Sequence, residues 1–135
     1  MQNNTLFVRD YMMKKPIYLF ADMGILQAIS VFLSNKISGA PVVDQNMNLL
    51  GILTERDCIE VAVNAGYFDD FGQLVGDYMS QTIDVVAEDD NLMDVAQKLI
   101  TLPYRRFPVV AQGRLVGLIT RKDVLRVIEL KNNVK

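Results

Sequence analysis

The sequence predicts an α/β (α+β) fold built from two copies of one βαββα unit. The first observation behind this prediction is an internal repeat: VRDYM at 8–12 returns as VGDYM at 75–79, and PVV at 41–43 returns at 108–110, both at an offset of 67. After the following turn the offset falls to 66. A slip confined to a turn indicates a duplicated supersecondary unit. The second observation is that both copies show the same order of apolar runs and helix-period patterns.

Each copy is predicted to begin with a short strand followed by a helix. The strands are expected at Ile17 to Phe20 and at Val85 to Ala87, and acidic caps follow at Asp22 and at Asp89-Asp90. The apolar residues at helical spacing are Ile25, Ile29, Phe32 and Leu33 in the first copy and Leu92, Val95, Ala96, Leu99 and Ile100 in the second.

A hairpin and a second helix complete each copy. The hairpin strands are expected at 40–43 and 49–53, and again at 107–111 and 115–119, because short apolar runs flank a polar turn. The second helix starts after Thr54 or Thr120. We therefore place the first repeat at 1–66, a linker at 67–74 and the second repeat at 75–135.

Composition excludes several classes of function. The chain of 135 residues is the size of one domain, and 50% apolar against 22% charged residues predicts a packed core rather than disorder. There is no histidine, which removes Ser-His and Cys-His pairs and makes a neutral-pH general base hard to supply, so an enzyme is not expected. The net charge of −2 disfavours a globally basic nucleic-acid binder. No secretory signal or membrane span is evident, so we expect a cytoplasmic protein.

The single cysteine is interpreted as part of the core. Cys58 cannot form an intrachain disulfide, and its counterpart in the second copy is Val124. A small buried apolar residue is therefore favoured over a reactive thiol.

The pattern Gly, two apolar residues, Thr, two variable residues, Asp occurs at 51–57 and again at 117–123, where a strand meets a helix. It supports two interpretations. Thr and Asp three residues apart resemble a capping box, which satisfies free amides of the first helical turn. A helix start also attracts phosphate, and a carboxylate accepts hydrogen bonds from a vicinal diol, so the same residues suit a nucleotide. Both interpretations stay open, since both can hold for one residue pair.

The duplicated order and these signatures resemble a tandem pair of cystathionine-β-synthase-type (CBS) domains, from Val8 to about Ile128. The resemblance implies repeats packed through their sheets about a pseudo-twofold axis, with two clefts that often bind AMP, ATP or S-adenosylmethionine. It implies that Asp57 and Asp123 hold the ribose and that Thr54 and Thr120 contact phosphate. The residues implied to lie around adenine are Pro16, Ile17, Ala40 and Pro41 in the first copy and Ile83, Phe107 and Pro108 in the second.

The charge distribution predicts that the two clefts differ. Residues 69–94 carry eight acids and no bases, whereas residues 98–135 carry nine bases and two acids. Four bases are placed to approach one phosphate chain in the second copy: Arg105, Arg106, Arg121 and Lys122. Their counterparts in the first copy are Ser38, Gly39, Glu55 and Arg56. We therefore expect a polyphosphate such as ATP at Thr120 and Asp123, and weaker binding, a less charged adenosine compound or no ligand at Thr54 and Asp57.

The function expected from these observations is a non-enzymatic regulatory module that senses an adenosine nucleotide (AMP, ADP, ATP or S-adenosylmethionine) and controls a partner protein. A ligand-free interaction scaffold is the alternative, and nucleic-acid binding through the basic C-terminal segment is a weaker one. The resemblance implies a homodimer with contacts on the helices that start near Thr54 and Thr120. No metal is expected, because Glu88, Asp89 and Asp90 are interpreted as helix-capping acids.

Overall fold

The computed structural model of the chain describes residues 5–64 and 73–132. These residues form two compact units. The first unit consists of Ile17–Ile83, and the second unit consists of Met1–Pro16 together with Asp84–Lys135. Each unit contains a three-stranded sheet with helices beside it, so the predicted α+β fold with two copies of one unit is confirmed.

The first unit follows the predicted order strand, helix, strand, strand, helix. Its elements are β1 (Leu19–Phe20), α1 (Ile25–Asn35), β2 (Gly39–Val43), β3 (Leu49–Thr54), α2 (Glu55–Asn64) and a short helix α3 (Val75–Tyr78). Strand β1 runs parallel to β2, and β2 pairs antiparallel with β3, which sets Gly39 opposite Thr54. The end of β3 therefore lies beside the start of β2.

The second unit repeats this arrangement. A 3-10 turn at Val8–Asp10 is followed, after Asp84, by β4 (Val86–Ala87), α4 (Leu92–Thr101), β5 (Arg106–Ala111), β6 (Arg114–Thr120) and α5 (Arg121–Asn132). Strand β4 is parallel to β5, and β5 is antiparallel to β6 with Arg106 opposite Thr120. The predicted hairpins and second helices are present in both units, within one or two residues of the expected bounds.

The grouping in space differs from the chain-order boundaries of 1–66 and 75–135. The VRDYM segment of the first copy bridges to β6, where Met13 and Leu118 exchange hydrogen bonds of 2.9 and 3.0 Å. The VGDYM segment of the second copy bridges to β3 through two bonds between Ile52 and Ser80. Each copy thus contributes its leading segment to the sheet of the other unit. The predicted linker at 67–74 lies outside the described residues except for its last two.

Each leading segment can approach its strand closely because the strand has a glycine at the point of contact. A Cβ on Gly51 would stand 2.5 Å from the carbonyl oxygen of Ser80, and a Cβ on Gly117 would stand 2.8 Å from that of Met13 and also meet the Met12 sulfur. Any side chain at either position would collide with main-chain atoms. The glycine that opens each Gly-apolar-apolar-Thr-x-x-Asp motif is therefore required by close packing.

Each unit has its own apolar core, and two of the apolar residues at helical spacing lie outside it. Val8, Leu92 and Phe107 lie in the core of the second unit, and Leu19 and Cys58 in that of the first. Leu33 and Ile100 lie in the predicted helices but are exposed, because they fall on the outer edge of the helical stripe.

The predicted acidic caps need correction. The residues that precede α1 and α4 are Gly24 and Asn91, and the Asn91 side chain accepts from the amide of Met93. Asp90 caps the preceding turn instead, because it accepts from the amide of Ala87 at 2.9 Å.

None of the helices in the described residues is both long and apolar enough to cross a membrane.

Candidate functional site

In the first unit, the predicted Thr and Asp meet where β3 becomes α2. Asp57 Oδ2 accepts from the amide of Thr54 at 2.9 Å and from its hydroxyl at 3.0 Å. The hydroxyl oxygen in turn accepts from the amide of Asp57 at 3.3 Å. This is the reciprocal geometry of a capping box. The capping interpretation is therefore realised, and one carboxylate oxygen is used for it.

The second unit builds the same corner where β6 becomes α5. Asp123 Oδ2 accepts from the amide of Thr120 at 2.8 Å and from its hydroxyl at 2.9 Å, and the amide of Asp123 donates back at 3.3 Å. We name these two sites the Asp57 corner (Thr54 and Asp57) and the Asp123 corner (Thr120 and Asp123).

The threonine hydroxyls are already engaged in this structure. A carboxylate only accepts hydrogen bonds, so the hydroxyl hydrogens of Thr54 and Thr120 must point at Asp57 and Asp123. A phosphate oxygen also needs a donor. Contact between either hydroxyl and a phosphate, the role implied for both threonines, would therefore require the hydroxyl to rotate and the cap to loosen.

The second carboxylate oxygen distinguishes the corners. Asp123 Oδ1 accepts from Arg126 Nη1 at 2.7 Å, whereas no described residue donates to Asp57 Oδ1. The equivalent of Arg126 in α2 is Glu60, which pairs with Arg56 at 3.5 Å. The Asp57 corner therefore presents an available acceptor, and the Asp123 corner presents one that is occupied by a mostly exposed arginine.

Main-chain donors remain available at both helix starts. The first amide of each helix is paired: Glu55 donates to the carbonyl of Ser38, and Arg121 to that of Arg105. No described residue accepts from the next amide, that of Arg56 or Lys122. An unpaired amide at the positive end of a helix is a donor for an anion.

The four basic residues predicted to approach a phosphate chain differ in their exposure and in their hydrogen bonds. Arg105 and Lys122 are exposed, and Arg106 is partly buried opposite Thr120 and engaged in an interaction of its own. The guanidinium of Arg121 donates to the carbonyl of Leu99 at 3.0 Å, so it closes the end of α4. Arg105 and Lys122 are thus the bases that can most readily turn toward an anion.

The residues implied to surround adenine are only partly brought together. Ala40 and Pro41 are buried in β2, and Phe107 and Pro108 are buried in β5, each on the strand next to its corner. Ile17 is partly exposed at the start of the first unit. Pro16 and Ile83 each belong to the unit that does not contain the corner they were assigned to.

The sequence interpretation missed one polar pair near the Asp123 corner. The Tyr104 hydroxyl donates to Asp84, and this bond together with the negative charge of Asp84 raises the pKa of Tyr104 above its usual range. The Tyr104 ring also packs edge-on against Phe107, with ring centroids 5.9 Å apart. The equivalent positions in the first unit are Ile17 and Ile37. Comparison of the copies position by position would have exposed this difference.

Two other candidates from the sequence are the thiol of Cys58 and the acids at 88–90. Cys58 is buried, and burial followed by repulsion from Asp57 and Glu55 raises its pKa to about 11, so its thiol is protonated at neutral pH. Within the described residues no group of Cys, Asp or Glu is arranged to hold a metal ion, and this includes Glu88, Asp89 and Asp90.

Comparisons with known proteins agree with this duplicated architecture. A family model described as the CBS domain matches residues 8–64 and 75–130. The chain is 34% identical over 121 residues to the uncharacterized protein MJ1225 of Methanocaldococcus jannaschii and 33% identical over 123 residues to inosine-5'-monophosphate dehydrogenase of Staphylococcus aureus. These matches cover 90% and 89% of the chain, but only 42% and 24% of the two relatives.

Solved structures match over nearly the full chain. CBSX2 of Arabidopsis thaliana, in a crystal structure with AMP, superimposes with a TM-score of 0.79 at 28% identity and covers 95% of this chain and 98% of its own. The CBS domain pair of MJ0100, in complex with 5'-methylthioadenosine and S-adenosyl-L-methionine, gives a TM-score of 0.75 at 25% identity and covers 94% and 98%.

Proposed function

Because this chain belongs to the CBS-domain family and carries the domain twice, we propose that it is a non-enzymatic regulatory module that binds adenosine nucleotides at its two corners. The ligands that the similar structures hold, AMP in CBSX2 and 5'-methylthioadenosine and S-adenosyl-L-methionine in the MJ0100 pair, share an adenosine. They differ in what is attached to the ribose. The common element is therefore the sugar and base.

The observation that carries this proposal is that the helix cap uses only one of the two oxygens of each aspartate carboxylate. Oδ2 of Asp57 and of Asp123 completes the helix cap, while Oδ1 takes no part in it: no described residue donates to Oδ1 of Asp57, and Oδ1 of Asp123 accepts only from the mostly exposed Arg126. A ribose diol donates hydrogen bonds, and a bond to a charged acceptor contributes about 1.5 to 3 kcal/mol. Capping and ribose binding are thus compatible in one aspartate.

The phosphate is assigned to the main chain rather than to the threonine hydroxyl. The unpaired amides of Arg56 and Lys122 and the positive ends of α2 and α5 supply donors without disturbing the cap. Thr54 and Thr120 then act as positioning residues that hold the aspartates.

We further propose that the two corners prefer different ligands. The Asp123 corner has Arg105 and Lys122 beside it, and Arg126 can leave Asp123 to meet a phosphate chain. The Asp57 corner has Glu55 where the second unit has Arg121. ATP is therefore expected at the Asp123 corner, and AMP or S-adenosylmethionine at the Asp57 corner.

Regulation requires that the ligand favour one arrangement of the protein over another. A tenfold difference in affinity between two states corresponds to about 1.4 kcal/mol, which is within reach of the bonds described above. The output is proposed to act on a partner protein, with the module itself a homodimer.

Calorimetric titration of AMP and of ATP into the wild type and the Asp57→Asn/Asp123→Asn double variant tests the proposal. Asparagine keeps one oxygen for the cap and replaces the other with an NH₂ group that cannot accept from a ribose. We expect affinity to fall at least about tenfold while the urea midpoint changes little.

The Thr54→Val/Thr120→Val variant is the matched control, because it removes the cap hydroxyls but keeps both carboxylates. It should lower stability more than it lowers affinity. Unchanged affinity in the double asparagine variant would contradict the proposal.

A further inference from the structure

The hydrogen-bonded pair of Asp84 and Tyr104 in the second unit has no part in the function described so far. The Tyr104 hydroxyl donates to the Asp84 carboxylate, and both residues are exposed to solvent. The Tyr104 ring is held by its edge-on contact with the buried ring of Phe107. Two polar groups are therefore fixed relative to each other on an exposed part of the surface.

This pair and the Asp123 corner lie at the same end of the sheet of the second unit. Strand β4 is parallel to β5, and extending their register backward from Val86 brings Asp84 level with Phe107. On the other side of β5, Thr120 is opposite Arg106. Asp84 and Thr120 therefore flank the start of β5, and two strand spacings separate their main chains by about 10 Å.

That separation suits a nucleotide whose ribose is bound at the corner. In the proposed function Asp123 holds the ribose, and the amide of Lys122 at the start of α5 holds the phosphate. The base and the phosphate are attached on opposite sides of the ribose ring, so a phosphate directed at α5 sends the base away from that helix and across the start of β5. The edge of a purine that is farthest from the sugar then meets Asp84 and Tyr104.

The pair offers hydrogen-bond acceptors to that edge. A carboxylate only accepts, and the Tyr104 hydroxyl has given its hydrogen to Asp84, so it too has lone pairs to offer. Adenine carries a donor at this edge, the amino group N6, whereas guanine carries the acceptor O6 at the same position. Hypoxanthine, the base of IMP, also carries O6. Two acceptors favour the amino group, since a carbonyl oxygen has no hydrogen to share with them.

The first unit has apolar residues at the equivalent positions, Ile17 and Ile37. Neither side chain has a polar atom, so neither distinguishes an amino group from a carbonyl by a hydrogen bond. The chain therefore contains its own comparison: one corner with a polar pair beside it and one corner with two isoleucines in its place.

We infer that Asp84 and Tyr104 select the base at the Asp123 corner by accepting from the N6 amino group of adenine. Asp84 is the specificity-determining residue, and Tyr104 positions its carboxylate and adds a second acceptor. This inference rests on the proposed function, because it needs a nucleotide whose ribose is held by Asp123, and it adds which base that corner takes.

Calorimetric titration of AMP, IMP and GMP tests the inference, because these nucleotides differ only in the base. In the Asp57→Asn variant, which leaves the Asp123 corner, AMP should bind at least about tenfold more tightly than IMP or GMP. In the Asp123→Asn variant, which leaves the Asp57 corner, this ratio should be at least about threefold smaller. Equal ratios at the two corners, or GMP or IMP binding as tightly as AMP at the Asp123 corner, would overturn the inference.

Asp84→Asn in the Asp57→Asn background separates base selection from a structural role. Asparagine presents an NH₂ donor beside its oxygen, so it meets a carbonyl as readily as an amino group, and the ratio of AMP to IMP affinity should fall at least about fivefold. A merely structural role would change both affinities by the same factor. Tyr104→Phe keeps the ring beside Phe107 and should lower the ratio by a smaller factor. Asp89→Asn is the matched control, because it removes an exposed acid beyond the other end of β4 and should leave the ratio unchanged.

The outcomes distinguish this inference from the proposed function. If Asp84→Asn still binds AMP and its ratio of AMP to IMP affinity is unchanged, base selection by Asp84 is overturned and nucleotide binding at the corners stands. If the wild type binds none of the three nucleotides, both are overturned.

Discussion

Each unit contains the same Thr-Asp corner, but the charged residues around the two corners differ. The hydrogen bonds that join threonine to aspartate agree within 0.1 Å between the Asp57 and Asp123 corners, although the units carry net charges of −6 (two Lys and Arg against eight Asp and Glu) and +4 (twelve against eight). The cap depends on main-chain geometry and must be kept for the helix to start. The exposed charges beside it, such as those of Arg105 and Lys122, take no part in the cap and are free to differ. Under the function proposed above, the common geometry would set where a ligand binds and the unequal charges would set which ligand.

The largest effect is expected at the glycines that both units share. Gly117→Ala and Gly51→Ala each place a Cβ against a main-chain carbonyl, so each should lower the free energy of unfolding by about 1 to 3 kcal/mol. Urea denaturation measures it. Gly39→Ala is the graded comparison, since its Cβ would approach the nearest atom only to 3.1 Å. An equal loss of stability in Gly39→Ala and Gly117→Ala would contradict the importance of the close contact between Gly117 and the leading segment.

The next effect should appear only in the second unit. Removal of the exposed charges in Arg105→Gln/Lys122→Gln should weaken ATP binding at the Asp123 corner by about tenfold and leave adenosine binding unchanged, because only the phosphate chain meets these charges. Calorimetry with the Asp57→Asn background isolates this corner. Arg114→Gln is the control, since Arg114 lies at the opposite end of β6 from Thr120. Equal losses for ATP and adenosine would argue against a phosphate role.

A smaller effect is expected where the corners differ in one hydrogen bond. Arg126→Met releases Asp123 Oδ1, and adenosine affinity at that corner should rise by up to about fivefold, because an ion pair whose arginine is mostly exposed contributes about 1 kcal/mol. Isothermal titration with adenosine measures it. The matched control is Glu60→Met, where Asp57 has no such partner to lose. An equal gain in both variants would show that the bond between Arg126 and Asp123 does not hinder adenosine binding.

The smallest effect concerns the equivalent positions Cys58 and Val124. Cys58→Val gives the first unit the residue that the second unit has at the equivalent position. It should change the free energy of unfolding by less than about 1.5 kcal/mol and leave nucleotide affinity unchanged. Urea unfolding and an AMP titration check both statements. Loss of AMP binding without loss of stability would give the thiol a function that its burial does not predict.

Much of the fold could be predicted because its signals are local. The apolar runs at 40–43 and 49–53 and the helix that begins after Thr54 follow from residue periodicity and turn residues. The exchange of leading segments could not be predicted. Periodicity states that the segment around Met12 is apolar, but it does not state that this segment pairs with β6 rather than β3.

The site was predictable in its residue types and not in its hydrogen bonds. Spacing alone left cap and ligand open for Asp57 and Asp123, and the three-dimensional structure was needed to show that Oδ2 of each carboxylate makes the cap while Oδ1 does not. The pairing of Arg126 with Asp123 has a sequence signal, since residues three apart on a helix are neighbours. Comparison of the copies shows that Asp84 and Tyr104 differ from their counterparts Ile17 and Ile37, but it does not show that they pair, because twenty residues separate them and only the alignment of β4 with β5 brings them together.

The most direct test compares ATP with adenosine at each corner. Calorimetry of both ligands on Asp57→Asn, which leaves the Asp123 corner, and on Asp123→Asn, which leaves the Asp57 corner, yields two ratios of ATP to adenosine affinity. The account predicts that adenosine binds in both variants and that the ratio is at least about tenfold larger at the Asp123 corner. Equal ratios, or a larger ratio at the Asp57 corner, would contradict it.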